Sequence, residues 1–105
     1  MHIVARSERR IRAEAAQATE EALDRVASEY DLDSLKDVMV IIRASKDLTI
    51  VDINEITEVT TRRVHEEAEL EISASSDLPG GDDVEIAIAI PRNTPKRRKK
   101  RRAVD

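Results

Sequence analysis

Between Glu8 and Tyr30 the apolar residues Ile11, Ala15, Ala18, Ala22, Val26 and Tyr30 fall at steps of three and four. That spacing puts side chains on one face of a helix. Leu23 and Ala27 widen the stripe, and no Gly or Pro interrupts it. Ala, Glu and Arg dominate the segment, and all three favour helix. Ser7 can cap its start. The pattern predicts one helix over residues 8–30, about 34 Å long at ~1.5 Å per residue. His2–Ala5 before it reads as a short strand.

Downstream the period changes. Val38-Met-Val-Ile-Ile is a run of five apolar residues, the signature of a strand buried on both faces. Ser45-Lys46-Asp47 is a turn, and Leu48–Ile53 then completes a hairpin. Residues 54–66 carry two patterns. A helix capped by Asp52 with Glu55 in the reciprocal position fits. So does a strand, given Ile56, Thr57, Val59, Thr60, Thr61 and Val64. The charges favour the helix: Glu55 and Glu58 lie at its start, and Arg62, Arg63 and His65 near its end.

Ala68, Leu70 and Ile72 alternate with Glu67, Glu69 and Glu71. Val84, Ile86, Ile88 and Ile90 alternate with Glu85, Ala87 and Ala89. Both are strands with one apolar face, predicted to pair as an antiparallel hairpin across the Ser75–Asp83 loop. The expected fold is α+β: a long N-terminal helix packed on a mainly antiparallel sheet of four or five strands. The element order resembles the β-α-β-β-α-β order of the ferredoxin-like fold with one strand added.

Composition changes the expected core. The chain has 105 residues, with 13 Ala, 11 Ile, 9 Val and 6 Leu, but no Phe or Trp and a single aromatic, Tyr30. Aromatics normally supply much of a core's buried area. Small and β-branched residues imply closely approaching layers instead. The Ala-rich stripe of a helix longer than its strands therefore predicts self-association through Ile11, Ala15, Ala18, Ala22 and Val26. No cysteine is present, which removes disulfides and thiolate ligands. No run approaches the ~18 apolar residues of a membrane span.

Candidate chemistry is sparse. His2 and His65 are the only histidines. His65, Glu66 and Glu67 are sequence neighbours that point apart on either element, so a shared ligand is not expected. Glu67, Glu69 and Glu71 share a strand face, with Glu85 expected on the partner strand. Paired carboxylates can do acid–base work, but a wet sheet face explains them equally. The Asp77–Asp83 loop matches no phosphate-binding or EF-hand spacing. No serine lies in a nucleophile-elbow context. No catalytic, metal or cofactor site is predicted.

Charge gives the one functional signal. Residues 1–91 carry 10 Lys and Arg against 21 Asp and Glu, a net −11, whereas the whole chain is only −4. The difference is a basic C-terminal segment: Arg92, Lys96, Arg97, Arg98, Lys99, Lys100, Arg101 and Arg102. The chain divides into an acidic domain over 1–91 and a tail over 92–105, expected to be disordered because like charges repel and bury nothing.

The leading expectation is a non-enzymatic, oligomeric protein whose tail contacts nucleic acid through phosphate charge with little sequence specificity. Without aromatic platforms, base stacking is not available. The alternative is a viral or phage structural subunit, with the tail on packaged nucleic acid or an acidic neighbour. A nuclear-import address or another acidic partner would use the same residues. The expected location is intracellular: cytoplasmic or nucleoid-associated, nuclear in a eukaryote, particle-associated in a virus.

Overall fold

The computed structural model describes residues 1–97. Strand β1 (His2–Arg9) is followed by a 3₁₀ turn at Arg12–Glu14 and helix α1 (Ala15–Ala27). A second 3₁₀ turn at Leu32–Ser34 leads to β2 (Asp37–Ala44). Helix α2 (Ile50–Arg63), β3 (Glu69–Ser75) and β4 (Val84–Ile90) complete the α+β fold. The four-stranded sheet has the order β1-β4-β2-β3. β4 is antiparallel to both β1 and β2, while β2 and β3 run parallel. A parallel pair needs a crossover, and α2 supplies it.

Several expectations change. The predicted residue 8–30 helix is shorter, because Glu8 and Arg9 belong to an eight-residue β1. In β1, Ala5 and Ser7 turn inward. Pairing with β4 outweighs the local helix propensity. The predicted strand at Leu48–Ile53 is instead the start of α2. Thr49 accepts a hydrogen bond from Asp52 N, and the Asp52 carboxylate accepts one from Thr49 N, at 3.1 Å each. This capping box fixes the helix start three residues before the cap expected at Asp52.

The β3–β4 hairpin does not form. Every residue of β4 is buried, which requires a central position, whereas β3 with Glu69 and Glu71 exposed suits an edge. The order is β-α-β-α-β-β rather than β-α-β-β-α-β.

Both helices cover one face of the sheet. α1 packs on β1, β4 and α2. The core joins Ala18, Ala22, Leu23 and Val26 of α1 and Ile56 and Val59 of α2 to Val38, Val40 and Ile42 of β2 and to Val84, Ile86, Ile88 and Ile90 of β4. Small side chains on α1 let these layers approach, and that closeness replaces aromatic volume. At the end of β2, the 76–83 loop returns onto the strand through Ser45 N to Asp83 O (2.9 Å) and Leu78 N to Ala44 O (3.1 Å). Within it Gly80 takes φ +119°, and a Cβ there would lie 2.9 Å from Asp83 Oδ2, so glycine is required.

Candidate functional site

Two surfaces and one charged segment are candidates. The first surface is the end of the molecule where α2 begins. Ile50 and Val51 are 77% and 64% exposed, and Ile11 is 49% exposed. Three large aliphatic side chains in water at one end are a signal of contact. The capping box holds Ile50 and Val51 on an ordered first turn. Arg12, next to Ile11, donates to Asp47 O at 2.6 Å and pairs with Asp52 Oδ2 at 3.1 Å, tying the 3₁₀ turn to the start of α2. A groove of about 570 Å³ continues this end past Ile11, Glu14, Leu78 and Pro79.

The second surface is the sheet face opposite the helices. Register places Ile3, Ala89 and Met39 in one row, and Arg6, Ala87 and Ile41 in the next. A third row holds Glu8, Glu85 and Arg43. On β3 the rows continue into Glu71, Ser73 and Ser75. No element of residues 1–97 forms a layer over this face. Ala87 and Ala89 are nonetheless buried, because larger neighbours in their rows shade them. Glu85 sits between Arg6 Nη1 (3.6 Å) and Arg43 Nη1 (3.5 Å). Arg43 also reaches Asp77 Oδ1 at 3.1 Å. That hydrogen bond lowers the Asp77 carboxyl below its ordinary value, as does a further one from Ser75, and it raises the Arg43 guanidinium.

The basic segment is only partly within the described residues. Arg92 is exposed. Arg97 N donates to Glu29 O at 2.5 Å, and Lys96 Nζ pairs with Glu29 Oε1 at 3.3 Å. The chain after β4 thus folds back across the C-terminal end of α1, where a cation complements the helix dipole. Arg98, Lys99, Lys100, Arg101 and Arg102 lie outside the described residues.

The stripe predicted for self-association is spent within the chain. Ala15, Ala18, Ala22 and Val26 are buried in its own core, and only Ile11 is exposed. The helix packs its apolar face on β1, β4 and α2, so those four side chains are not available to a second copy. The carboxylates also separate. Glu69 and Glu71 lie on edge strand β3, while Glu85 is two strands away with its two arginines. His65 accepts a hydrogen bond from Glu67 N at 3.0 Å, closing a local turn.

Sequence reading missed both surfaces. Ile50 and Val51 were hidden in a segment read as strand. Met39 and Ile41 were hidden in a run read as buried on both sides. The Thr49-x-x-Asp52 spacing was the available signal for the first.

No family model matches the chain, and no curated protein matches it by sequence. Solved structures do share its fold. A tryptophan-to-tyrosine mutant of FtsZ from M. jannaschii superposes with a TM-score of 0.74 at 19% identity, over 90% of this chain and 31% of that one. An empty FtsZ dimer from M. jannaschii gives 0.64 at 18% identity, over 84% of this chain and 26% of that one. The chain therefore spans less than a third of the FtsZ chains it matches, and at this identity the likeness establishes the fold.

The expectation of a nucleic-acid-binding protein, with its viral or phage alternative, is corrected by this finding. Two solved chains that share the architecture are FtsZ. Within the described part of the tail, Lys96 pairs with the Glu29 carboxylate and Arg97 donates its backbone N–H to Glu29 O. No helix among the described residues is long and apolar enough to cross a membrane.

Proposed function

We propose that this chain is a protein-contacting module of an FtsZ-type assembly, a cytoskeletal or cell-division role, acting through the exposed end at Ile11, Ile50 and Val51. The shared fold over 90% of the chain carries this reading. The exposed apolar residues at an ordered helix start give it a surface. Burying Ile50 and Val51 against a partner would each gain about 1.5–3 kcal/mol at most, enough to make them the anchors of a contact. Catalysis is not assigned to a chain that spans so little of the FtsZ length.

The test is sedimentation of polymers of the source organism's FtsZ with this chain added. Pelleting with the polymer, lost in an Ile50→Asp/Val51→Asp double variant, is the expected result. A wild-type chain that stays in the supernatant at every ratio overturns the reading.

A further inference from the structure

The open sheet face carries information of its own, independent of the FtsZ reading. Its centre is apolar: Ile3, Met39 and Ile41 stand around Ala87 and Ala89, and nothing in residues 1–97 covers them. Two sheets stack stably only when both faces are apolar in the middle and their outer charges oppose. We infer that this face is a two-fold self-interface, with a second copy of the chain as its occupant.

The strand order decides which two-fold is possible. An axis parallel to the strands, lying between the two sheets, superposes the order β1-β4-β2-β3 on its reverse. Each β2 then lies over the partner's β4, and each β1 over the partner's β3. In the third row Arg43 faces the partner copy's Glu85, and Glu85 faces its Arg43. In the middle row Ile41 packs on Ala87, large on small, in both directions. Arg6 on β1 lands over Ser73, one same-face step from Glu71. Every contact is reciprocal, as an isologous interface requires.

An axis across the strands gives a worse match. It sets β1 over β1 and β2 over β2 with the rows reversed, so Glu8, Glu85 and Arg43 land over the partner copy's Ile3, Ala89 and Met39. That buries charges against apolar side chains with no opposite charge facing them. Charge thus selects the strand-parallel arrangement, with the usual tilt of about 30° from sheet twist.

The face is small. Four strands about 4.8 Å apart and three rows about 7 Å apart give roughly 20 by 20 Å, or about 400 Å² per copy. The total, about 800 Å² before side-chain relief, lies below the ~1,200–2,000 Å² of stable complexes. The dimer is therefore weak and transient, with half-association on the order of 100 μM.

Sedimentation velocity of the full chain over a concentration series is the experiment. The wild type is expected to shift from monomer to dimer as concentration rises. Ile41→Arg, at an uncovered position, is expected to remain monomeric at least tenfold further up the series while keeping a native circular dichroism melt. The single variants Arg6→Glu and Glu71→Arg are each expected to weaken the dimer, and the double variant to recover it relative to Arg6→Glu. The swap decides the matter if Ile41→Arg fails to fold.

A wild-type chain that stays monomeric to millimolar concentration overturns the proposal and leaves the face to a partner of different sequence. Dimerisation unchanged in a folded Ile41→Arg variant overturns it as well. So does a double swap no better than Arg6→Glu. Ile41 and Arg6 lie away from Ile50 and Val51, so failure here and failure of FtsZ co-sedimentation are separate outcomes.

Discussion

Arg9 Nη2 on β1 lies 2.8 Å from Glu21 Oε2 on α1. The other carboxylate oxygen of Glu21 accepts from Ser7 Oγ at 2.8 Å and faces Arg25 Nη2 at 3.1 Å. One carboxylate thus ties the first strand to the first helix. The Arg9 hydrogen bond, then the Ser7 one, lowers the Glu21 pKa from 4.5 to about 2.

That shift gives a pH dependence with a definite sign. The folded form holds the carboxylate deprotonated more strongly than the unfolded chain does, so the folded state binds fewer protons between the two pKa values. The stabilisation is full above about pH 4.5 and is lost as pH falls toward 2. Glu21→Gln lacks it at every pH. Thermal melts of both proteins from pH 7 to pH 2 are expected to show the widest gap above pH 5, closing near pH 2. A gap of constant size across that range would refute the assignment. Because the pair is only partly buried, added salt should narrow the gap at neutral pH.

Thr49→Ala removes the hydroxyl that accepts from Asp52 N. Loss of an N-cap of this kind costs about 1 kcal/mol. Urea denaturation should show a lower midpoint with an unchanged slope. An unchanged midpoint would mean that α2 starts elsewhere.

The Thr49 cap also shows where the sequence was legible. The α+β class, β2 and both C-terminal strands followed from periodicity, and the helix over most of residues 54–66 was favoured by its end charges. The strand order did not, because β4 wins the centre of the sheet only through pairing with both β1 and β2. Arg9 reads as a helix former until β4 offers it a ladder. Ile50 and Val51 read as strand because β-branched residues favour strands, and only the cap at Thr49 outweighs them. The candidate surfaces were less legible still. Exposure of Ile41 or Ile50 depends on which layers are missing, and local pattern does not encode that. The basic run was the loudest signal in the sequence, yet its charge carried no information about the fold it follows.

The two faces of β2 should respond differently to truncation. Ile42 is fully buried under the helices, whereas its neighbour Ile41 stands on the uncovered face. Ile42→Ala is expected to cost about 2–5 kcal/mol through lost burial and a cavity. Ile41→Ala leaves no enclosed cavity and should cost less than about 1.5 kcal/mol at low protein concentration. Equal costs in chemical denaturation would contradict the assignment of the faces.

Ala22→Leu separates the two roles that the alanine stripe of α1 could have. If the stripe were a surface for a second copy, the larger side chain would alter association and leave the isolated chain's stability nearly untouched. In the structure Ala22 has no exposure, and α1 lies against β1, β4 and α2 at once. Three added carbons have no space there, so helix, sheet or neighbouring rotamers must shift. Overpacking of this kind costs about 1–3 kcal/mol. Chemical denaturation at micromolar concentration, well below the ~100 μM expected for self-association, should therefore show the whole loss. A variant as stable as the wild type but with changed sedimentation would return the stripe to the surface and displace the open sheet face as the self-interface.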